Sequence, residues 1–113
     1  MIQQKENYEK QLRLEITLNN NVVVATGGFD PIHSGHIAYL EEASKLGAIL
    51  IVGVNSDQWL TRKKGYPFMP ATERQAIVKA LKCVDHTVLF DDSDGSAIQA
   101  IHNARKLYPN AKI

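Results

Sequence analysis

The stretch Val22-Val23-Val24-Ala25-Thr26-Gly27-Gly28-Phe29-Asp30-Pro31-Ile32-His33-Ser34-Gly35-His36 decides the fold. Its first four residues are a continuous, mostly β-branched run, the pattern of a strand buried on both faces. Thr26-Gly27-Gly28 breaks that run. A helical pattern opens at about Ser34 and continues to Leu46, with Ile37, Leu40, Ala43 and Leu46 on one face. Two glycines after a strand let the backbone approach a bulky anion and adopt positive φ. The helix that follows offers free N–H groups and a partial positive charge.

The same alternation repeats outward from this stretch. Gly47 suits a helix C-cap, and Ala48 to Val54 is a second, fully apolar strand. Asn55 to Lys64 is polar apart from Trp59 and Leu60 and reads as a short helix or a loop. Gly65 to Pro70 carries two prolines and is not regular helix. Thr72 precedes a helical pattern in which Ile77, Ala80 and Leu81 share a face. Thr87 to Phe90 is a third apolar strand, Asp91 to Gly95 a capped loop, and Ser96 to Leu107 a helix with Ile98, Ile101 and Leu107 inward. Strand and helix in strict alternation predict an α/β parallel sheet, and right-handed crossovers put helices on both faces. Ligands in such sheets bind at the carboxyl ends of the strands, which singles out the loop from Gly27 to His36.

Composition bounds the rest. The chain has 113 residues, 44% hydrophobic and 22% charged, with one cysteine and a formal net charge of +1. That length fits one domain, large enough for a core without metal or disulfides. Near-neutral charge speaks against a nucleic-acid surface. Cys83 has no second cysteine to bridge to, and the expected setting is reducing and cytoplasmic. No apolar run approaches a membrane span, and the first ten residues lack the apolar block of a signal peptide. Residues 1–21 read as an N-terminal extension and 22–113 as the domain. Within the extension, Leu12, Leu14, Ile16 and Leu18 alternate as in a strand, while Tyr8, Leu12 and Ile16 also share a helical stripe. As a strand, this segment could add to a sheet edge or swap onto a second copy, which makes a homodimer an expectation.

Chemistry concentrates in His33-Ser34-Gly35-His36. Two imidazoles beside a helix N-terminus can face one bound group and donate hydrogen bonds to phosphate oxygens. Such donors stabilise the charge that builds on a phosphoryl group in its transition state. His86 and His102, alone on their elements, read as structural, and Cys83 as a small core residue. Asp91, Asp92 and Asp94 lack the spacing of a calcium loop. Asp57 reads equally as a helix N-cap or an acceptor contact. Trp59, Tyr66 and Phe68 read as acceptor-pocket lining or as packing.

The segment Thr26 to His36 resembles the G-x-F-D-x-x-H-x-G-H signature of the cytidylyltransferase-like nucleotidyltransferase superfamily. Ala43-Ser44-Lys45-Leu46-Gly47, Val54-Asn55-Ser56-Asp57, Glu73-Arg74 and Val84-Asp85 extend the resemblance toward its glycerol-3-phosphate cytidylyltransferase and heptose-phosphate adenylyltransferase branch. The resemblance implies a Rossmann-like doubly wound parallel sheet. It implies transfer of a nucleotidyl group from ATP or CTP to a small phosphorylated metabolite, a sugar or polyol phosphate, with release of pyrophosphate. His33 and His36 would be catalytic. Thr26, Gly27, Gly28, Phe29 and Gly35 would form the nucleotide-contacting turn, with Asp30 orienting either the loop or the acceptor. Lys63, Lys64 and Arg74 would reach the triphosphate, Arg74 through bidentate phosphate binding. Mg²⁺ would bridge phosphates without a dedicated protein cage.

Two departures from that pattern qualify what it implies. Relatives often carry a basic residue at the end of the first helix, where this chain has Ser44 followed by Lys45, and one position turns a helical side chain by about 100°. Family members also continue with a further strand, a nucleotide-contacting loop and a Ser/Thr-rich motif. Here the sequence ends at Asn110-Ala111-Lys112-Ile113, which reads as a strand just beginning and predicts a fold cut short at its C-terminal side. The alternative to an enzyme is therefore a non-catalytic nucleotide-binding module or a truncated subunit. An aminoacyl-tRNA synthetase fragment is a third reading, disfavoured by short length and low charge.

Overall fold

The structure, a computed structural model, describes residues 21–113. The expectations for residues 1–20, including the alternating segment and its part in a dimer, lie outside the described residues. Seven elements follow one another: β1 (Val22–Gly27), α1 (Ser34–Ser44), β2 (Ile49–Val54), α2 (Asp57–Lys64), α3 (Ala71–Lys79), β3 (His86–Leu89) and α4 (Ile98–Leu107).

The strands form a parallel sheet in the order β1-β2-β3. Val22 faces Ile49 and Gly27 faces Val54 across the first pair, and Ile51 faces His86 across the second. β2 is central and buried at every position. Burying each of its Ile, Leu and Val side chains contributes about 1.5–3 kcal/mol. Because strand side chains alternate, Leu50, Val52 and Val54 join Ala25, Leu40, Ala43 and Val78 on the α1 and α3 side. Ile49 and Ile51 join Val22 and Ala104 on the α4 side. Helices therefore cover both faces, as the alternating sequence requires, and the α/β doubly wound reading holds.

Several local expectations change. α1 ends at Ser44, its C-cap is Lys45 in a right-handed conformation, and Leu46 is 78% exposed. Gly47 is not the cap. A Cβ there would lie 2.8 Å from Val23 Cγ2, so the residue is small because β1 passes against it. On α3 the buried positions are Arg74 and Val78, while Ala80 is exposed and Leu81 packs at the rim of the core. On α4 the inward residues are Ala100 and Ala104, and Ile98, Ile101 and Leu107 are exposed. The reason is proximity. A Cβ on Gly53 would meet Ala100 Cβ at 3.1 Å, so this helix sits too close to β2 for a larger side chain.

At the end of the described chain, Lys112 forms an isolated parallel bridge with Asn21, and the Val22 N–H donates to the Lys112 carbonyl at 2.8 Å. The Asn21 carbonyl accepts from Ala48 and Ile49 on the opposite side. Lys112 thus lies along the β1 edge that faces away from β2. His86 Nε2 and the Tyr108 hydroxyl, 2.6 Å apart, tie β3 to the end of α4. No helix among the described residues is long and apolar enough to cross a membrane.

Candidate active site

The loop leaving β1 is shaped by three close packings. Phe29 takes a left-handed conformation, φ 53°, and its ring folds back into the core, 2% exposed. A Cβ on Gly27 would lie 2.8 Å from that ring, and one on Gly28 would lie 2.9 Å from Leu60 of α2. The positive φ expected of the glycines thus falls on Phe29. Gly27 and Gly28 serve instead by having no side chain where Phe29 and Leu60 must pack.

Asp30 fixes the outer end of the loop. Its carboxylate accepts the backbone N–H groups of Phe68 at 2.6 Å and Met69 at 2.8 Å, and pairs with Lys64 at 2.8 Å. Lys64 also donates to the Asp30 carbonyl. Burial pushes this carboxyl up, but the Lys64 ammonium and the two amides more than offset it, and the net shift is downward. Of its two expected roles, loop orientation is the one these contacts fill.

The histidines cap α1 and each other. His33 is the N-cap residue, in extended conformation, and its Nδ1 accepts the Gly35 N–H at 3.0 Å. The Nδ1 of His36 accepts the His33 N–H at 3.1 Å. This is a capping box built from two imidazoles. A ring nitrogen that accepts carries no proton, so each neutral ring is protonated at Nε2. Neither Nε2–H has a hydrogen-bond partner among the described residues. The rings lie 3.9 Å apart, and Phe29 packs edge-on against His36 at 5.4 Å. Burial lowers the His36 pKa, and the neighbouring His33 lowers it further. The spacing of the motif also has a steric cause. A Cβ at Gly35 would lie 2.8 Å from His33 Cε1, so only glycine lets the His33 ring fold over the first turn.

Thr26, Gly27, Gly28, Phe29, Asp30, His33, His36, Lys63 and Lys64 line one cleft of about 570 Å³ at the carboxyl end of β1. That volume lies within the range of small-ligand sites. Lys63 Nζ sits 4.6 Å over the Trp59 ring, and Lys64 Nζ 4.4 Å over Phe68. Gly35 is beneath the His33 ring rather than on the cleft wall. Tyr66 and Phe68, 58% and 61% exposed, pack edge to face at 5.4 Å beside it. Ser44 donates to the Glu41 carbonyl and Lys45 pairs with Glu42, so neither residue belongs to the cleft.

Arg74 stands apart from the other expected site residues. It has no exposed surface. Its Nε donates to the Met69 carbonyl, its Nη1 to the carbonyls of Gly28 and Asn55, and its Nη2 to Asp57 Oδ1 at 2.7 Å. The expectation that it reaches a triphosphate is corrected. The guanidinium is occupied by four protein acceptors and staples the β1 loop, the end of β2 and the α2–α3 segment together. Asp57 is its partner, while the N-cap of α2 is Ser56.

The sequence reading left Asn55 without a role of its own. It is 7% exposed, lines the cleft, and donates through Nδ2 to Asp92 at 3.0 Å. A polar residue directly after six buried strand positions, at a carboxyl end, was the available signal.

The comparisons with known proteins agree with this geometry. The family model described as cytidylyltransferase-like matches residues 24–111. The chain is 39% identical over 93 residues to the bifunctional protein HldE of Syntrophotalea carbinolica, covering 80% of this chain and 19% of that protein. It is 49% identical over 72 residues to the FAD synthase of Methanocella paludicola, covering 64% and 51%. The chain therefore spans about a fifth of the one relative and half of the other. Among solved structures, the lipopolysaccharide core biosynthesis protein of Thermoplasma volcanium superposes with a TM-score of 0.67 at 34% identity, over 74% of this chain and 67% of that one. With its doubly wound sheet, its paired histidines and a family match over most of its length, the chain belongs to the cytidylyltransferase-like family.

Proposed function

We propose that the chain carries the nucleotide-binding and catalytic histidines of a nucleotidyltransferase acting on a small phosphorylated metabolite. The donor is ATP or CTP, and the acceptor is a sugar or polyol phosphate. An acceptor phosphate oxygen attacks the α-phosphorus in line, a new P–O bond forms, the bond to the β-phosphate bridge breaks, and pyrophosphate leaves. The supporting observation is the imidazole capping box. It holds two neutral rings with their Nε2–H donors at the start of a helix, in a cleft that Lys63 also lines. Donors fixed in advance stabilise charge developing on the transferred phosphoryl group without reorganising. The relatives named FAD synthase support ATP as donor, since FAD is an adenylyl group joined to a phosphorylated flavin.

Mg²⁺ in this reading arrives with the triphosphate, whose hard oxygens suit it. The residues present fit that arrangement, because the Asp30 carboxylate in the cleft is committed to Lys64, Phe68 and Met69. The setting proposed is cytoplasmic.

The test is pyrophosphate release by the chain with ATP or CTP across a panel of sugar, polyol and flavin phosphates. Turnover that depends on His36 supports the proposal. Calorimetry showing triphosphate binding without turnover would make the chain a nucleotide-binding module instead.

A further inference from the structure

The loop after β3 contains a carboxylate that the proposed reaction leaves unused. Asp92 is 3% exposed. Its Oδ2 accepts from Asn55 Nδ2 at 3.0 Å and from the Ser56 N–H at 2.8 Å, and its Oδ1 accepts from the Ser56 hydroxyl at 2.6 Å. The same Ser56 oxygen accepts the Trp59 N–H at 3.0 Å and caps α2. Arg62 donates to the Asp92 carbonyl at 3.3 Å. Burial pushes this carboxyl up, but the Ser56 hydroxyl, the Asn55 amide and the Ser56 N–H outweigh it, and the net shift is downward.

Consider what α2 needs. It has eight residues, too few to persist as an isolated helix. Leu60 anchors its middle against Gly28, and Gly65 closes its end with φ 96° and a bond to the Thr61 carbonyl. Its N-terminus is held by Ser56 and, behind Ser56, by the Asp92 carboxylate. A negative charge there also complements the helix dipole. The other end carries Lys63 and Lys64 into the cleft. Asp92 likewise fixes the Asn55 amide. A carboxylate only accepts, so the atom turned toward it is the Asn55 nitrogen.

We infer that Asp92 is a positioning residue of the cleft: by bracing Asn55 and the N-terminus of α2 it holds Lys63 and Lys64 where a triphosphate binds. This rests on the nucleotide-cleft reading above. In Asp92→Asn the carboxamide keeps one acceptor oxygen and turns N–H groups toward donors, so the brace is lost with little change in volume.

The experiment titrates inorganic tripolyphosphate into the chain by calorimetry, with Asp92→Asn, Ser56→Ala, Lys63→Ala and the double variant Asp92→Asn/Lys63→Ala, each checked for folding by circular dichroism. Asp92→Asn weakens binding by about tenfold, the scale of one charged hydrogen bond lost. Ser56→Ala reproduces part of that loss while sparing the Asp92 bonds to Asn55 and the Ser56 N–H. The two substitutions in the double variant are non-additive, because Asp92 acts through the lysine. In turnover, KM for the triphosphate rises more than kcat falls.

Equal binding by wild type, Asp92→Asn and Ser56→Ala overturns the inference. So does the same fold loss from Asp92→Asn with Lys63 present or absent, which marks a purely structural carboxylate. If Asp92→Asn does not fold, Ser56→Ala alone decides. Tripolyphosphate binding with the predicted coupling but no pyrophosphate release would sink nucleotidyl transfer and leave the Asp92 assignment standing. A wild type that binds no tripolyphosphate overturns both.

Discussion

The backbone N–H of His33 donates to Nδ1 of His36 at 3.1 Å, so the second histidine of the motif caps the helix turn on which the first one begins. Protonating His36 at Nδ1 would set one N–H against another and release that cap. The neutral form of His36 and the start of the helix thus depend on the same hydrogen bond.

The pH dependence follows. His36 has a folded pKa below its ordinary 6.5, so the unfolded chain takes up the proton first as pH falls. The contribution of His36 is fully present above 6.5 and is lost as pH drops through the lower folded value. Thermal unfolding as a function of pH is expected to show stability rising with pH across that window. In His36→Ala this slope is reduced, and turnover falls by about 10²–10³, the cost of one preorganised donor. Nitrogen NMR should report the Nε2–H tautomer for both His33 and His36.

Gly35→Ala places a methyl 2.8 Å from His33 Cε1. The ring must swing away, giving up its bond to the Gly35 N–H. The expected cost is about 1 kcal/mol of stability, the scale of a lost N-cap, with a much larger loss of turnover. A variant that keeps full activity would show that the His33 ring does not need this position.

Arg74→Met strips donors from the carbonyls of Gly28, Asn55 and Met69 and leaves Asp57 without its partner. The Asp57 carboxylate, 41% exposed, is rehydrated by solvent, so the cost lies in the carbonyls that lose their donor, about 1–3 kcal/mol for a buried one such as Asn55. Denaturant unfolding is expected to show that loss. A direct phosphate ligand would instead give a stable protein with raised KM.

Asp30→Asn tests the strap to the α2–α3 segment. The folded Asp30 carboxyl titrates below its ordinary 3.8. Its contribution is therefore present above 3.8 and disappears as pH falls through the folded value. Acid titration of wild type should show this loss and the Asn variant should show less of it. At neutral pH the Asn variant keeps one acceptor oxygen where two amides need one each, so one of the Phe68 and Met69 amides should show faster hydrogen exchange.

Much of this molecule was legible in its residues because much of it is local. The β-branched run at Val22, the six apolar positions of β2 and the glycines between strand and helix each report their own surroundings. The cleft wall from Thr26 to His36 is one continuous segment, and a rule about strand ends located it. What escaped was non-local or close-packed. Arg74 looks like a surface cation on α3, because carbonyls contributed by residues 28, 55 and 69 do not announce themselves in the sequence around 74. Hydrophobicity alone put Ile98, Ile101 and Leu107 of α4 inward, whereas the short distance to Gly53 selects Ala100 and Ala104. The left-handed turn fell on Phe29 rather than a glycine because the ring gains burial there.

The three glycines of the loop have a consequence for how such a site can change. Phe29 rests on Gly27, Leu60 on Gly28 and His33 on Gly35, each partner occupying the volume a methyl would need. Enlarging any one glycine displaces its partner, and shrinking a partner alone opens a void. Mutational routes out of this loop are therefore two-step routes, in which glycine and partner change together. Random single-substitution libraries should find the loop nearly closed to change, and libraries that vary each pair jointly are where a reshaped cleft should emerge.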